Sequence, residues 1–162
     1  ANGGIQTKLE GQDLQNFQYG LSSAKPITLS FYAKSGSAGA GTYSIEVRYK
    51  NSSNASFNQT RAFTITSSWQ RFTFTFEPNG TATSDDIVNN NNEGFVIIWH
   101  LASGSSDQTS AVTTWTSSNS MSIGHSLRSL LYVRDIITNT LMVMVKILLL
   151  ERITMLTYVL LV

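Results

Sequence analysis

The stretch YSIEVRYK, residues 43–50, decides the fold class of this chain. Its side chains alternate, with Tyr43, Ile45, Val47 and Tyr49 separated by polar or charged residues. A period of two residues places successive side chains on opposite faces of a β-strand, whereas an amphipathic helix needs a period of 3.6. The stretch therefore predicts a strand that turns one face toward a core and the other face away from it.

Similar alternation recurs along the first two thirds of the chain. Five further strands are predicted, at residues 5–10, 27–33, 61–66, 69–76 and 94–101. The separators, such as residues 35–41 and 51–54, are rich in Gly, Asn and Ser, which suit turns. Regularly spaced strands with polar turns predict an all-β domain of the jelly-roll or sandwich type. Residues 12–17 are predicted to form a short helical turn.

Composition limits the class of function. The chain has 162 residues, enough for one domain with its own core. Its net charge is +1 and only 13% of its residues are charged, so no nucleic-acid partner is expected. The chain has no Cys, which excludes disulfides, thiolate metal ligands and cysteine nucleophiles. It begins with Ala and has no basic, then apolar leader, so we interpret its start as a fragment boundary.

The composition changes abruptly after Gly124. Every Gly, Pro, Phe and Trp lies at or before that position, and the rest of the chain is rich in Leu, Ile and Val. We therefore divide the chain into a jelly-roll domain at residues 1–120 and an apolar tail at residues 121–162. Leu, Met, Lys and Glu favour helix and no Gly or Pro interrupts them, so the tail is predicted to be helical.

A membrane span is the rival interpretation of the tail. Residues 136–162 are strongly apolar, but Lys146, Glu151 and Arg152 interrupt them. No run of the roughly 18–20 apolar residues that a spanning helix needs remains. A charged side chain at mid-bilayer costs about 2.5–3.5 kcal/mol on insertion scales. A membrane is therefore not expected as a partner.

Four motifs, in their order along the chain, carry a resemblance to a known family. They are KLEGQDL at residues 8–14, AKPITLSFYAKS at residues 24–35, GTYS at residues 41–44 and SWQRFTFTF at residues 68–76. Together they resemble carbohydrate-binding-module-like, galactose-binding-like jelly rolls, above all those of bacteriophage tail proteins. The resemblance covers roughly residues 5–118. LSFYAKS and WQRFTFTF are specific together, whereas each alone is also an ordinary strand pattern.

The resemblance implies a non-enzymatic module of a virion. Such a module binds a glycan on the host-cell surface or helps to build the tail, so host glycans and other virion proteins are the implied partners. Tail proteins are often homo-oligomers, and the implied location is the virion, extracellular after release. The alternative is an accessory carbohydrate-binding module of a glycoside hydrolase or an adhesin. A catalytic jelly roll such as a lyase is a weaker alternative, because its expected basic and aromatic constellation is missing.

The end of the chain departs from the family. The family usually closes with a strand of the type FYITGVQLEVG and a segment containing CQRYY, and this chain has neither. Residues 129–140, read with suitable codons displaced by two nucleotides, permit LALCQRYYYKY. We therefore interpret the residues from about 121 onward as a frameshifted copy of that segment. A sandwich without its closing strand would have an unpaired edge and an exposed apolar face.

A glycan site needs aromatic platforms with polar groups beside them. Trp115 lies between polar residues and is the best candidate for an exposed ring, with a core position as the alternative. Tyr32 is out of phase with the apolar residues of its strand and is expected on the other face. Trp99 shares the phase of core residues and is kept as a second candidate. Trp69, at the start of a strand, is assigned to the core.

The polar candidates for the site are Glu46 and Arg48. Both lie on the polar face of the strand at residues 43–50, where they either form a solvated face or line a concave sugar groove. His100 lies within an apolar strand and is expected to have a hydrogen-bonded structural role.

No catalytic constellation stands out, and the chain is not expected to be an enzyme. His100 and His125 are the only histidines. Asp85 and Asp86 are adjacent in a polar loop, where turn residues are expected rather than an acid/base pair. One of them could bind a structural calcium ion through its carboxylate, since calcium prefers oxygen ligands. No other cofactor is expected.

Overall fold

The computed structural model of the chain describes residues 3–35, 40–79, 86–102, 111–117, 143–147 and 156–160. These residues are mostly β. The elements in chain order are β1 (Gly3–Glu10), a 3₁₀ helix (Gly11–Phe17), β2 (Ile27–Ala33), β3 (Gly41–Lys50), β4 (Ser56–Ile65), β5 (Gln70–Phe76), β6 (Glu93–Ala102), β7 (Val143–Ile147) and β8 (Leu156–Leu160). The prediction of an all-β domain with a helical turn after the first strand is confirmed.

The strands form two antiparallel sheets of four strands each. Sheet I has the order β1-β6-β3-β4, and sheet II has the order β5-β2-β7-β8. Four of the five connections between β1 and β6 pass from one sheet to the other, and only β3 and β4 form a hairpin within a sheet. Strands adjacent in sequence thus lie mostly in opposite layers.

The core lies between the inner faces of the two sheets. On β3 the inward residues are those that the alternation predicts, and Ile45 and Tyr49 are almost completely buried. Phe31 of β2 meets Trp99 of β6 and Phe63 of β4 edge to face, with ring centroids 5.6 Å and 5.2 Å away. Burying such a side chain contributes about 1.5–3 kcal/mol, and an aromatic pair adds roughly 0.5–1.5 kcal/mol.

Strand bounds follow the sequence wherever the alternation is clean. β2 spans the predicted residues 27–33, whereas β4 begins at Ser56, five residues before the predicted start. The first half of β4 includes Asn58, Gln59 and Thr60, which are all buried although polar. Because both faces of this half are covered, its sequence does not alternate between polar and apolar residues.

The described parts of the tail are strands, so the predicted helix is not found there. β7 pairs antiparallel with β2 on the side opposite β5, with Phe31 facing Val145 in the register, and β8 pairs with β7. The unpaired edge predicted for a sandwich without its closing strand is therefore not found beside β2. Val143, Val145 and Ile147 are β-branched residues two apart, a strand pattern that helix propensity alone overlooked.

Two further expectations concern the tail. The predicted domain boundary falls within residues 118–142, which lie outside the described residues, and the frameshift stays a prediction. In the described part of the chain, no helix is long and apolar enough to cross a bilayer.

The segment at residues 111–117 lies along the outer edge of β4. The backbone amides of Asn58 and Thr60 donate to the carbonyls of Thr116 and Val112, at 2.9 Å and 2.8 Å. We call this segment the strap. It provides hydrogen-bond partners for part of the backbone of edge strand β4, which would otherwise be open to pairing with another chain.

Arg61 of β4 fastens the strap from the inner side of the sandwich. Its guanidinium donates to the Val112 carbonyl at 3.0 Å, to Gln59 Oε1 at 2.8 Å and to the Thr75 carbonyl of β5 at 3.4 Å. The same group lies 5.0 Å from the centre of the Phe76 ring. Burial lowers the pKa of Arg61, but a guanidinium starts from so high a value that it stays charged. Arg61 thereby ties β4, β5 and the strap together.

We expect Arg61→Met to lower the free energy of unfolding by about 2 kcal/mol, because hydrogen bonds to a charged donor are lost. Urea unfolding would measure the loss, and hydrogen exchange at the amides of Asn58 and Thr60 would show whether the strap loosens. Lys50→Met, at an exposed position, is the control. Equal stability of the two variants would contradict the role given to Arg61.

Tyr19 has a buried hydroxyl at one end of the core. Its ring meets Tyr49 and Phe95 edge to face, with centroids 5.3 Å and 5.5 Å away. Its hydroxyl oxygen is buried and has no hydrogen-bond partner among the described residues. Burial raises the pKa of Tyr19 far above the ordinary value of 10, since a phenolate would be poorly solvated there.

The raised pKa of Tyr19 predicts a loss of stability in alkali. Neutral Tyr19 contributes fully below about pH 10, the unfolded value, and its contribution falls above that pH because the unfolded state releases the proton first. In Tyr19→Phe we expect unfolding free energy to fall less steeply with pH in this range. Tyr43, whose pKa burial also raises, is unchanged in both proteins. Equal slopes in urea titrations at several pH values would contradict this assignment.

Candidate functional site

Trp99 is a core residue. It lies on the inner face of β6, is 3% exposed and packs against Phe31. A ring enclosed in this way offers no face to a ligand, so Trp99 cannot be an aromatic platform for a glycan. The reason is its phase, which it shares with the buried residues Phe95 and Ile97.

Trp115 is half-buried rather than an open platform. It lies in the strap, and its ring packs edge to face against Tyr49 with a centroid distance of 5.0 Å. Its indole N–H donates to the backbone carbonyl of Glu77. The expectation of an exposed ring is thus corrected in favour of the core alternative. Its polar neighbours reflect the exposed side of the strap, while the ring itself turns toward Tyr19 and Phe95.

Glu46 and Arg48 lie on the outer face of sheet I, but they do not form a solvated face. Glu46 is 0% exposed, and its Oε2 lies 2.8 Å from Nε2 of buried His100. Arg48 is half-buried. The expected hydrogen-bonded role of His100 is confirmed. We assign Glu46 and His100 to a structural pair that links β3 to β6, because Glu46 presents no surface to a ligand.

A double-mutant cycle should reveal this pair. We expect Glu46→Ala and His100→Ala each to lower the free energy of unfolding by about 2 kcal/mol, because each leaves a buried polar partner unsatisfied. The double variant should lose less unfolding free energy than the sum of the two single losses, since the second change leaves no further buried group without its partner. Lys50→Ala in place of His100→Ala is the uncoupled control. Strict additivity of the two changes in chemical denaturation would contradict the pairing.

Tyr32 lies where its phase predicts. It is on the outer face of β2, is 41% exposed, and faces Arg71 of β5 in the register. Its neighbours in the strand, Phe31 and Ala33, are buried in the core. Tyr32 is the one predicted platform that presents its ring to solvent among the described residues.

Trp69 was expected in the core and is instead 41% exposed. It immediately precedes β5, whose first residue, Gln70, pairs with the inward-facing Ala33. Trp69 therefore shares the outward parity of Arg71, and Lys34 Nζ lies 5.2 Å from the centre of its ring. The alternation itself contained this signal, because Trp69 is in phase with the threonines of its strand and out of phase with the phenylalanines.

Hydrogen-bonded polar side chains lie on the same sheet face as Tyr32 and Trp69. Ser30 of β2 is buried beneath the face, and its Oγ accepts hydrogen bonds from Arg71 Nε at 2.8 Å and from the Thr73 hydroxyl at 3.4 Å. Farther along, the hydroxyls of Thr28 and Thr75 lie 3.0 Å apart. We call this surface the β2–β5 face. It consists of Ser30, Tyr32, Lys34, Trp69, Arg71 and Thr73.

The register sets the spacing of the two rings. Tyr32 is directly opposite Arg71, and Trp69 precedes Arg71 by two residues. Diagonal neighbours across two antiparallel strands are about 7–8 Å apart, within reach of aromatic side chains. One ligand could therefore contact both rings and the polar groups between them.

Metal ligands are sparse in what the structure describes. Within the described ranges, no group of three or more His, Asp or Glu side chains could hold a metal ion. Asp86 is half-buried, while Asp85 and His125 lie outside those ranges. A calcium ion at Asp85 or Asp86 stays a prediction.

Comparison with protein-family models, with curated proteins and with solved structures gave no match to this chain.

Proposed function

We propose that this chain is a non-catalytic module that binds a glycan through the β2–β5 face. The observation that carries the proposal is the pair of exposed rings, Tyr32 and Trp69, on one sheet face beside hydrogen-bonding side chains. A sugar ring has apolar C–H surfaces and hydroxyl groups, so it needs an aromatic platform together with a few polar partners. Tyr32 and Trp69 would supply the platform, and Arg71 and Thr73 would supply the polar partners.

The proposed setting is a tail or another structural part of a bacteriophage virion. The four motifs that resemble jelly rolls of such proteins support it, and a two-sheet antiparallel sandwich is compatible with that fold. In this setting the glycan belongs to the host-cell surface, the neighbours are other virion proteins, and the module forms part of a homo-oligomer.

The test is binding of the purified chain to an array of bacterial surface polysaccharides, with affinities then measured by isothermal titration. We expect Tyr32→Ala and Trp69→Ala each to weaken binding about ten-fold or more, which corresponds to about 1.4 kcal/mol. Both side chains are well exposed, so circular dichroism should show an unchanged fold.

Leu21→Ala is the matched control, because Leu21 is also a large exposed apolar residue but is not part of the β2–β5 face. Wild-type affinity in this variant, with loss in the other two, supports the proposal. If the chain binds no polysaccharide on the array, glycan recognition is excluded and a role in tail assembly alone is favoured. If Tyr32→Ala and Trp69→Ala bind as well as wild type, the site lies elsewhere.

A further inference from the structure

We infer that the glycan bound by the β2–β5 face is anionic, a saccharide that carries carboxylate, sulfate or phosphate groups. This inference rests on the proposed function and specifies its ligand class. It follows from the charges on the face and from the way that two basic side chains are held beside the two rings.

The six residues that define the face include two cations and no acidic side chain. Lys34 and Arg71 flank the rings, whereas none of the four strands of sheet II contains Asp or Glu. Neither Lys34 nor Arg71 forms an ion pair with another residue that the structure describes. The net charge of the whole chain is only +1, so this concentration of positive charge is local. An anionic group would complement it, and a neutral sugar would leave it unused.

One hydrogen bond orients Arg71 and leaves its terminal nitrogens available to an anion. Its Nε donates to Ser30 Oγ at 2.8 Å, and its two terminal nitrogens make no hydrogen bond with other described residues. Ser30, which accepts this bond, is buried, so the bond restricts where the guanidinium of Arg71 can lie on the face. The terminal N–H groups form a planar fork that matches the two oxygens of a carboxylate, sulfate or phosphate group. Ser30 thus acts as a positioning residue for Arg71.

Lys34 places the second charge at the platform itself. Its ammonium lies 5.2 Å from the centre of the Trp69 ring, a cation–π distance. An anionic group of a saccharide that contacts Trp69 would therefore lie close to this ammonium. Arg71 lies two residues from Trp69 along the chain and opposite Tyr32 in the register. The two cations thus lie on either side of the position where a sugar ring would contact the aromatic pair.

The test compares acidic polysaccharides with their neutral counterparts. Dextran sulfate is paired with dextran, and polygalacturonate with its carboxyl-reduced form. We expect wild type to bind at least one acidic member about ten-fold or more tightly than its neutral partner. Lys34→Gln and Arg71→Gln should reduce that ratio. Arg71→Lys should reduce it less, because the charge remains while the fork is lost. Affinity for the acidic member should fall as salt increases, since exposed charges are screened.

Lys50→Gln controls for general attraction of a polyanion, because it removes an exposed charge from sheet I. An unchanged ratio in this variant supports a local site, and a loss equal to that of Lys34→Gln would overturn the inference. Tight, salt-independent binding of neutral polysaccharides that Trp69→Ala abolishes would overturn the anionic ligand but keep the glycan proposal. Absence of binding to every polysaccharide would overturn both.

Discussion

The packing of Phe31 between the two sheets is the contact on which the rest of the molecule depends. Its ring reaches across the sandwich to Trp99 and Phe63 of sheet I, so it fixes which face of β2 turns inward. Because successive residues of a strand point to opposite faces, Tyr32 is then forced outward. The pairing of Tyr32 with Arg71 follows from the same register. The proposed site is thus a consequence of how the core is packed, and a slip of one residue in β2 would bury Tyr32.

The outer faces of the two sheets differ in how far their polar and aromatic side chains are buried. On sheet I, Glu46 and His100 use each other as partners and are buried, so their polarity serves cohesion between strands. On sheet II, Ser30 also has internal hydrogen-bond partners, but Tyr32 and Trp69 are each 41% exposed. Exposed aromatic side chains lose contact with water only when a partner covers them. A ligand that covered the exposed parts of Tyr32 and Trp69 would therefore remove apolar surface from water.

Local patterning predicted the elements well and the long-range contacts poorly. The bounds of β2 and the outward position of Tyr32 follow from alternation alone. The same rule places Trp69 outward. The core position predicted for it followed the usual burial of Trp and ignored the phase of its own strand. The burial of Glu46 depends on His100, 54 residues away, and that of Trp115 on Tyr19 and Glu77. No local signal encodes such partners. For the tail, β-branched residues two apart in β7 predicted pairing better than helix propensity did.

The placement of the rings on paired strands also affects how strongly such a surface can bind. A loop must be ordered when a ligand arrives, and that cost is subtracted from the affinity. Here β2 is paired with β5 along all seven of its residues, so the backbones beneath the face are ordered before any ligand binds. Ser30 further restricts Arg71, and Lys34 is held against the ring of Trp69. A preorganised surface on paired strands suits an extended saccharide better than a small ligand that needs enclosure on several sides.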